Sequence, residues 1–319
     1  TDAALTLKAQ RDVIVNKDIT SPAGKLDVNL NADSDGDAMG AVVVNANVNT
    51  NGGSFNAGSG KNLSDGTVGT YFGAGASSIA TKGGDINLYG DVAIGTGSVL
   101  TLDTQAADKA GNVKVTGNVD SGNAYTVVEE NNLTWEEAKA AAQGKTGGAK
   151  AVGDTYLATI TSALENSVAN ANASGKSEEL FVGGVGTETS DRSVGGRSFY
   201  WVTGPEGANG TESVTVNGKT YTGTKFYETA SDAAYSTEGI AGHTVNGMYA
   251  NWHTGEPNNH GGNMVETDQD YIAVGYGPSS MWDDVANTEV TDGSVKGYVR
   301  ELNLENSGLT INAGMGKVE

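Results

Sequence analysis

Along residues 1–122, apolar and polar positions alternate in short runs. The clearest are ALTLKA (4–9), KLDVNLNA (25–32), AVVVNANV (41–48), DINLYG (85–90), VLTLDT (99–104) and NVKVTGNV (112–119). Alternation at period two with one apolar face is the pattern of a half-buried strand. Between the runs lie Gly, Asn, Asp and Ser, small residues that turn tightly and let successive layers stack closely. The step from ALTLKA to KLDVNLNA is about one solenoid turn, near the short end of repeat periods. A parallel β-helix is therefore expected over residues 1–123, with a β-sandwich as the competing arrangement of the same strands.

The period changes at Ala124. Thr134-Trp135-Glu136-Glu137 has the form of a capping box, with Thr134 as N-cap and Glu137 three residues on, and EEAKAAAQ behind it is strongly helical as far as Gly144. Ser162 with Glu165 opens a second helix in SALENSVANANA, and YLATI (156–160) between the two is extended. Short strand-like runs then alternate with long loops: FVGGV, FYWVTGP, DYIAVGY, MWDDVA and GYVREL. Residues 206–250, rich in Gly, Thr and Tyr, have the character of an enlarged loop. Helices first and many strands afterwards make an α+β domain. LNLENSGLTINAG (302–314) returns to the alternation seen over residues 1–122. The expected organisation is mainly β: a solenoid over 1–123, an α+β domain over 124–302 inserted in it, and a further solenoid rung over 303–319. Insertion works where the termini of the inserted domain lie close together.

Composition narrows the partners. The 319 residues include 39 acidic against 19 basic ones, for a formal charge of −20. Like charge repels nucleic acid and anionic lipid, so neither is an expected partner, and the excess suits cation binding outside the cell. With no cysteine, disulfides, thiolate metal sites and a cysteine nucleophile are excluded. No apolar run is long enough to span a bilayer, so no membrane insertion is expected. The opening TDAALTL carries no secretory signal; a processed chain and an excised fragment would both read this way. Asp33-Ser34-Asp35-Gly36-Asp37 is half of a calcium loop, but Val42 stands where an EF-hand closes with Glu, and a solvated turn between rungs is the expected state.

The chemistry concentrates in WHTGEPNNHGGN (252–263), followed by Trp282-Asp283-Asp284. A proline flanked by a carboxylate and an amide offers hard oxygen ligands, and calcium takes six to eight of these from carboxylates and carbonyls. LTWEEAKAAAQ, YLATITSALEN, FYWVTGPEG, NW-x3-EPNN, DYIAVGYG, WDD and GYVREL occur in the order found in C-type lectin domains, which residues 124–302 resemble. The resemblance implies Ca2+ held by Glu256 and Asn258 from the long loop and by Asp283 and Asp284 from the strand after Trp282, with Pro257 in the cis form. The family places a Glu before the next strand, where this chain has Gln269 and Asp270 after an apparent insertion. Glu266 is the favoured replacement ligand, with Asp268, Gln269, Asp270 and Asn259 as alternatives. Vicinal hydroxyls of a glycan would complete the calcium shell and share hydrogen bonds with Glu256, Asn258, Glu266 and Asp283. His260 either packs on the sugar or is a plain loop histidine.

The EPN form implies mannose, glucose or fucose rather than galactose. Asp283 stands where the family has Asn, and an ionised Asp cannot donate to a sugar hydroxyl. Ala142, Tyr271 and Arg300 stand where cysteines are common, so packing must replace the cross-links. Trp135, Trp201, Trp252 and Trp282 are expected in the core.

The recurring LxLxA and GD[IV] rungs resemble the β-helical stalk of filamentous haemagglutinin-type adhesins. Together the two resemblances imply a glycan-binding adhesin, secreted or displayed on a bacterial cell surface, for cell adhesion or biofilm. The alternative function is a lectin-like domain that binds a protein or ice surface with calcium only structural. An enzyme is not expected: β-helical lyases and hydrolases need clustered Asp with Arg or Lys, and Lys8, Arg11, Lys17 and Lys25 show no such pairing.

Overall fold

The computed structural model describes residues 1–144, 153–171, 179–188, 194–234, 240–260, 268–276, 281–287, 295–304 and 307–319. The chain is mainly β and divides into two compact units, Thr1–Ala124 with Leu304–Glu319, and Tyr125–Asn303.

The first unit is a β-solenoid of about four turns. Each turn lays down three short strands. In chain order they are β1 (Ala3–Lys8), β2 (Val13–Val15) and β3 (Ile19–Thr20), then β4 (Leu26–Ala32), β5 (Val42–Val44) and β6 (Val48–Asn49), then β7 (Phe55–Ser59), β8 (Gly69–Phe72) and β9 (Ser78–Ala80). β10 (Ile86–Leu88), β11 (Asp91–Ile94) and β12 (Val99–Asp103) follow, and β13 (Val113–Val115) and β14 (Val119–Ser121) begin another turn. Strands three apart pair in parallel, giving three five-stranded sheets. The third place of the last turn is taken by Gly308–Asn312, which runs parallel to β12 with Leu100 opposite Leu309 and Leu102 opposite Ile311. Between β14 and Gly308 the chain runs through the second unit. Val28, Leu30, Phe55, Ala57, Phe72, Ile86, Leu88, Leu100 and Leu102 fill the interior.

The aspartates before the strands act as clamps between turns. Asp12 Oδ1 accepts the Ala41 N–H (3.0 Å), Asp18 that of Asn47 (2.9 Å), Asp85 that of Asn112 (2.7 Å) and Asp91 that of Asn118 (2.9 Å). Asp85 and Asp91 are the aspartates of the GD[IV] repeat, while Asp12 and Asp18 do the same after Arg11 and Lys17. Each carboxylate satisfies the N–H that opens the corresponding strand one turn on. Asn29, Asn56 and Asn87 add a side-chain ladder across β4, β7 and β10, with amide-to-amide bonds of 2.9 and 2.8 Å.

In the second unit the Thr134 capping box forms, and α1 runs Trp135–Ala142. The Ser162 hydroxyl accepts the Glu165 N–H (3.1 Å) at the start of α2 (Ala163–Ala171). A short α3 (Gly204–Asn209) follows the FYW run at 199–201. One ten-stranded sheet contains β15 (Ala124–Glu129), β16 (Thr155–Leu157), β17 (Glu179–Gly186), β18 (Ser198–Trp201), β19 (Glu212–Val216), β20 (Lys219–Thr229), β21 (Gly242–Thr244), β22 (Tyr271–Tyr276), β23 (Met281–Val285) and β24 (Val295–Leu302).

The stretch 206–250 is therefore not simply an enlarged loop. β19 and β20 form a hairpin turning at Asn217-Gly218, both at positive φ (50° and 72°). That Asn-Gly turn matches the twist of the strands it joins. Trp135, Trp201 and Trp282 are fully buried, and Ala142 and Tyr271 pack in the same core as Trp135, whose ring lies 5.0 Å from that of Tyr271. Packing fills the places where a disulfide was not available.

Candidate metal centre

β23 carries MWDDV and pairs with β22 on one side. On its other side the chain at 251–253 lies alongside: Trp282 N–H donates to the Asn251 carbonyl (2.8 Å) and His253 N–H to the Trp282 carbonyl (3.0 Å). Trp282 points into the core and donates its indole N–H to Asn166 Oδ1 of α2 (2.7 Å). With both edges covered, the acidic side chains of Asp283 and Asp284 are buried. The chain then turns at Gly255 (φ 99°), and the Glu256–Pro257 peptide bond is cis.

Asp284 holds the loop in place. Its Oδ1 accepts the Asn258 N–H (2.7 Å), and its Oδ2 accepts the Asn259 N–H (2.9 Å) and Arg197 Nη1–H (2.5 Å). Carboxylate oxygens of Glu256, Asp283 and Asp284 all lie within 4.8 Å of one another, and all three residues are buried. Glu256 Oε2 and Asp283 Oδ1 have no hydrogen-bond partner. Such buried acceptors are rare and costly. Burial, with the negative Asp284 adding to it, pushes the Glu256 carboxyl up to about 8. Asp283 is held well above the usual carboxylate range by burial first, then by Glu256, Asp284 and Glu179. The trio can hold a metal ion, and its donors are all hard oxygens.

The other residues expected at the site divide. Asn258 meets the cluster through its backbone N–H, while its side-chain Oδ1 accepts the His260 N–H (2.6 Å). Asn259 is fully buried at positive φ (52°), and its Oδ1 accepts the Gln269 N–H (2.8 Å). Gln269 is buried with Oε1 unpartnered. Asp268 is exposed; Asp270 is fully buried, pairs through Oδ1 with Arg197 (3.2 Å) and leaves Oδ2 unpartnered. Glu266 lies outside the described residues. Asp33, Asp35 and Asp37 form a second acidic group. Asp33 is not a solvated turn residue, however: it is fully buried and accepts from Ala38 N–H (3.1 Å) and the Thr67 hydroxyl (2.6 Å).

Reasoning from sequence missed Arg197. It is completely buried just before β18. Besides Asp284, its guanidinium donates to the Gln269 carbonyl (2.7 Å), Asp270 Oδ1 (3.2 Å) and the Thr187 carbonyl (3.3 Å), and it lies 4.9 Å from the Phe199 ring centre. The one signal in the residues was an arginine opening an aromatic strand, GGRSFYW, in an acid-dominated chain. No family model matches the chain, and neither a curated protein nor a solved structure matches it.

Proposed function

We propose that the second unit is a calcium-dependent carbohydrate-binding module of C-type lectin type, carried on a solenoid of adhesin type at a bacterial surface. The observation that carries this reading is the pair of unpartnered, buried oxygens, Glu256 Oε2 and Asp283 Oδ1, gathered with Asp284 under the Glu256-Pro257-Asn258 loop. Three buried carboxylates repel one another unless a cation or protons offset them. Carboxylate and amide oxygens without thiol or imidazole suit calcium. Glu256, Asp283 and Asp284 would hold the ion. Bound calcium would supply coordination places for vicinal sugar hydroxyls, and Glu256 would accept hydrogen bonds from the same hydroxyls. Mannose, glucose and fucose are the expected class. A single site of this kind is weak, about −4 kcal/mol at a millimolar dissociation constant, and adhesion would come from many copies.

The test is binding to immobilised mannose, fucose and galactose in calcium and in chelator. Chelator-sensitive binding to mannose or fucose is the expected outcome; preference for galactose, or binding that ignores chelator, counts against it.

A second reading is favoured by two features. Asn258 Oδ1 is already engaged by His260 N–H, and Asp283 is an acid with no N–H to offer a sugar. On that reading calcium is structural and the unit binds a protein or ice surface. Calcium would then raise the melting temperature while no glycan binds.

A further inference from the structure

Arg197 draws together four oxygens from three parts of the second unit: the Thr187 carbonyl, the Gln269 carbonyl, Asp270 Oδ1 and Asp284 Oδ2. Its backbone is fixed as well, since its N–H donates to Thr229 Oγ1 (2.8 Å) and its carbonyl accepts the Thr229 N–H (2.9 Å). A fully buried guanidinium among carbonyls and carboxylates has the surroundings of a bound cation, not of a solvated side chain. The fork geometry matters: separate N–H groups reach Asp284 through Nη1, Asp270 and Gln269 through Nη2, and Thr187 through Nε. A lysine ammonium is a single point charge on a flexible stem and cannot reproduce that arrangement.

The consequence for the acidic trio follows from Asp284. Both its oxygens are committed to holding Asn258 and Asn259, which places Glu256 over Asp283. Without a positive charge behind it, Asp284 would stand buried with Asp283, Glu256 and Asp270, and these like charges would drive the loop away.

We propose that Arg197 is a built-in cation and the positioning residue of the metal centre: it neutralises the inner face of Asp284 and orders the Glu256–Asn259 loop. The effect on ion affinity rests on the proposed calcium function. The effect on the fold does not.

The experiment compares the full chain with Arg197→Lys and Arg197→Ala, by calcium calorimetry and by thermal melts with and without millimolar guanidinium. Groups that orient metal ligands cost about 10- to 100-fold in metal affinity when replaced. R197K is expected to bind calcium at least about tenfold more weakly despite its retained charge. R197A is expected to lose binding and melt earlier, and free guanidinium, which fits the vacated oxygens, should restore part of both. A merely structural arginine would show rescue of the melt but no change in calcium affinity. Wild-type calcium affinity in R197K overturns the proposal, as does a folded R197A indifferent to guanidinium. If R197A does not fold, the R197K affinity decides. If the unsubstituted chain binds no calcium, the calcium reading falls separately, and the guanidinium effect on the R197A or R197K melt alone decides the built-in cation.

Discussion

Two acidic trios, one in each unit, differ in how their oxygens are used. In the solenoid, Asp33 is buried but takes donors on both oxygens, while Asp35 and Asp37 face solvent. In the second unit, Glu256, Asp283 and Asp284 are all buried, and only Asp284 takes donors on both oxygens. A count of carboxylates does not separate the two. The count of donors they receive does. The solenoid spends its aspartates as acceptors for the N–H groups that open strands, so much of the acidic excess has a structural use. The second trio keeps two oxygens that receive no donor from other described residues, only the proton that Glu256 and Asp283 can share.

Replacing the acid with donors on both oxygens in each trio should give the largest contrast. Asp284→Ala strands the buried Arg197 and frees two loop N–H groups, so a loss of about 3–5 kcal/mol is expected in denaturant unfolding of the second unit. Asp33→Ala removes two neutral donors' acceptor and should cost the solenoid less, about 1–3 kcal/mol. Equal costs would mean that burial alone, not the arginine pairing, sets the difference.

The next contrast is in pH. The Glu256 carboxyl titrates near 4.5 when unfolded and near 8 in the fold. Between those values the folded chain keeps a proton that the unfolded chain has released. In chelator, the second unit should therefore lose stability as pH rises across that window, by up to about 5 kcal/mol, and calcium should remove the slope. Asp27 of the solenoid behaves oppositely. Hydrogen bonds from the Ser54 N–H and hydroxyl hold its carboxyl below the usual range. Its contribution is present at neutral pH and is lost as pH falls through that lowered value. In chelator, the melt of the second unit should fall between about pH 5 and 8, whereas the Asp27 contribution changes only below about pH 4; a second-unit melt that is flat across pH 5 to 8 would break the comparison.

The smallest expected effect is at the exposed solenoid acids. Asp35→Asn with Asp37→Asn should change stability by no more than about 0.5 kcal/mol and leave calcium uptake unaltered.

How far the sequence was legible follows the same division. Long alternating runs such as KLDVNLNA marked β4, and both helix caps were readable because a cap depends on residues three apart. β3 and β6, two residues each, offer too few positions for a period to show. The β19–β20 hairpin had a local signal in VNGK that the Gly and Thr around it obscured. At the site, EPNN and WDD were visible as separate motifs, and the fold does bring Glu256 to Asp283 and Asp284. That Asn258 would turn its side chain to His260, and that Arg197 would stand behind Asp284, depends on contacts 2 and 87 residues apart in a fixed three-dimensional arrangement. The first is a detail of loop geometry and the second is set by the sheet; neither has a residue pattern.

The central claim is that unsatisfied buried oxygens, not acidic clusters as such, mark the ion site. Calcium titrated calorimetrically at neutral pH into the full chain, into Glu256→Gln with Asp283→Asn, and into Asp35→Asn with Asp37→Asn tests it directly. The account predicts that the unsubstituted chain and the solenoid double variant bind one ion with the same affinity, while the Glu256 and Asp283 double variant binds none. No calcium bound by the unsubstituted chain, or binding that survives in the Glu256 and Asp283 variant and disappears in the Asp35 and Asp37 variant, would contradict it.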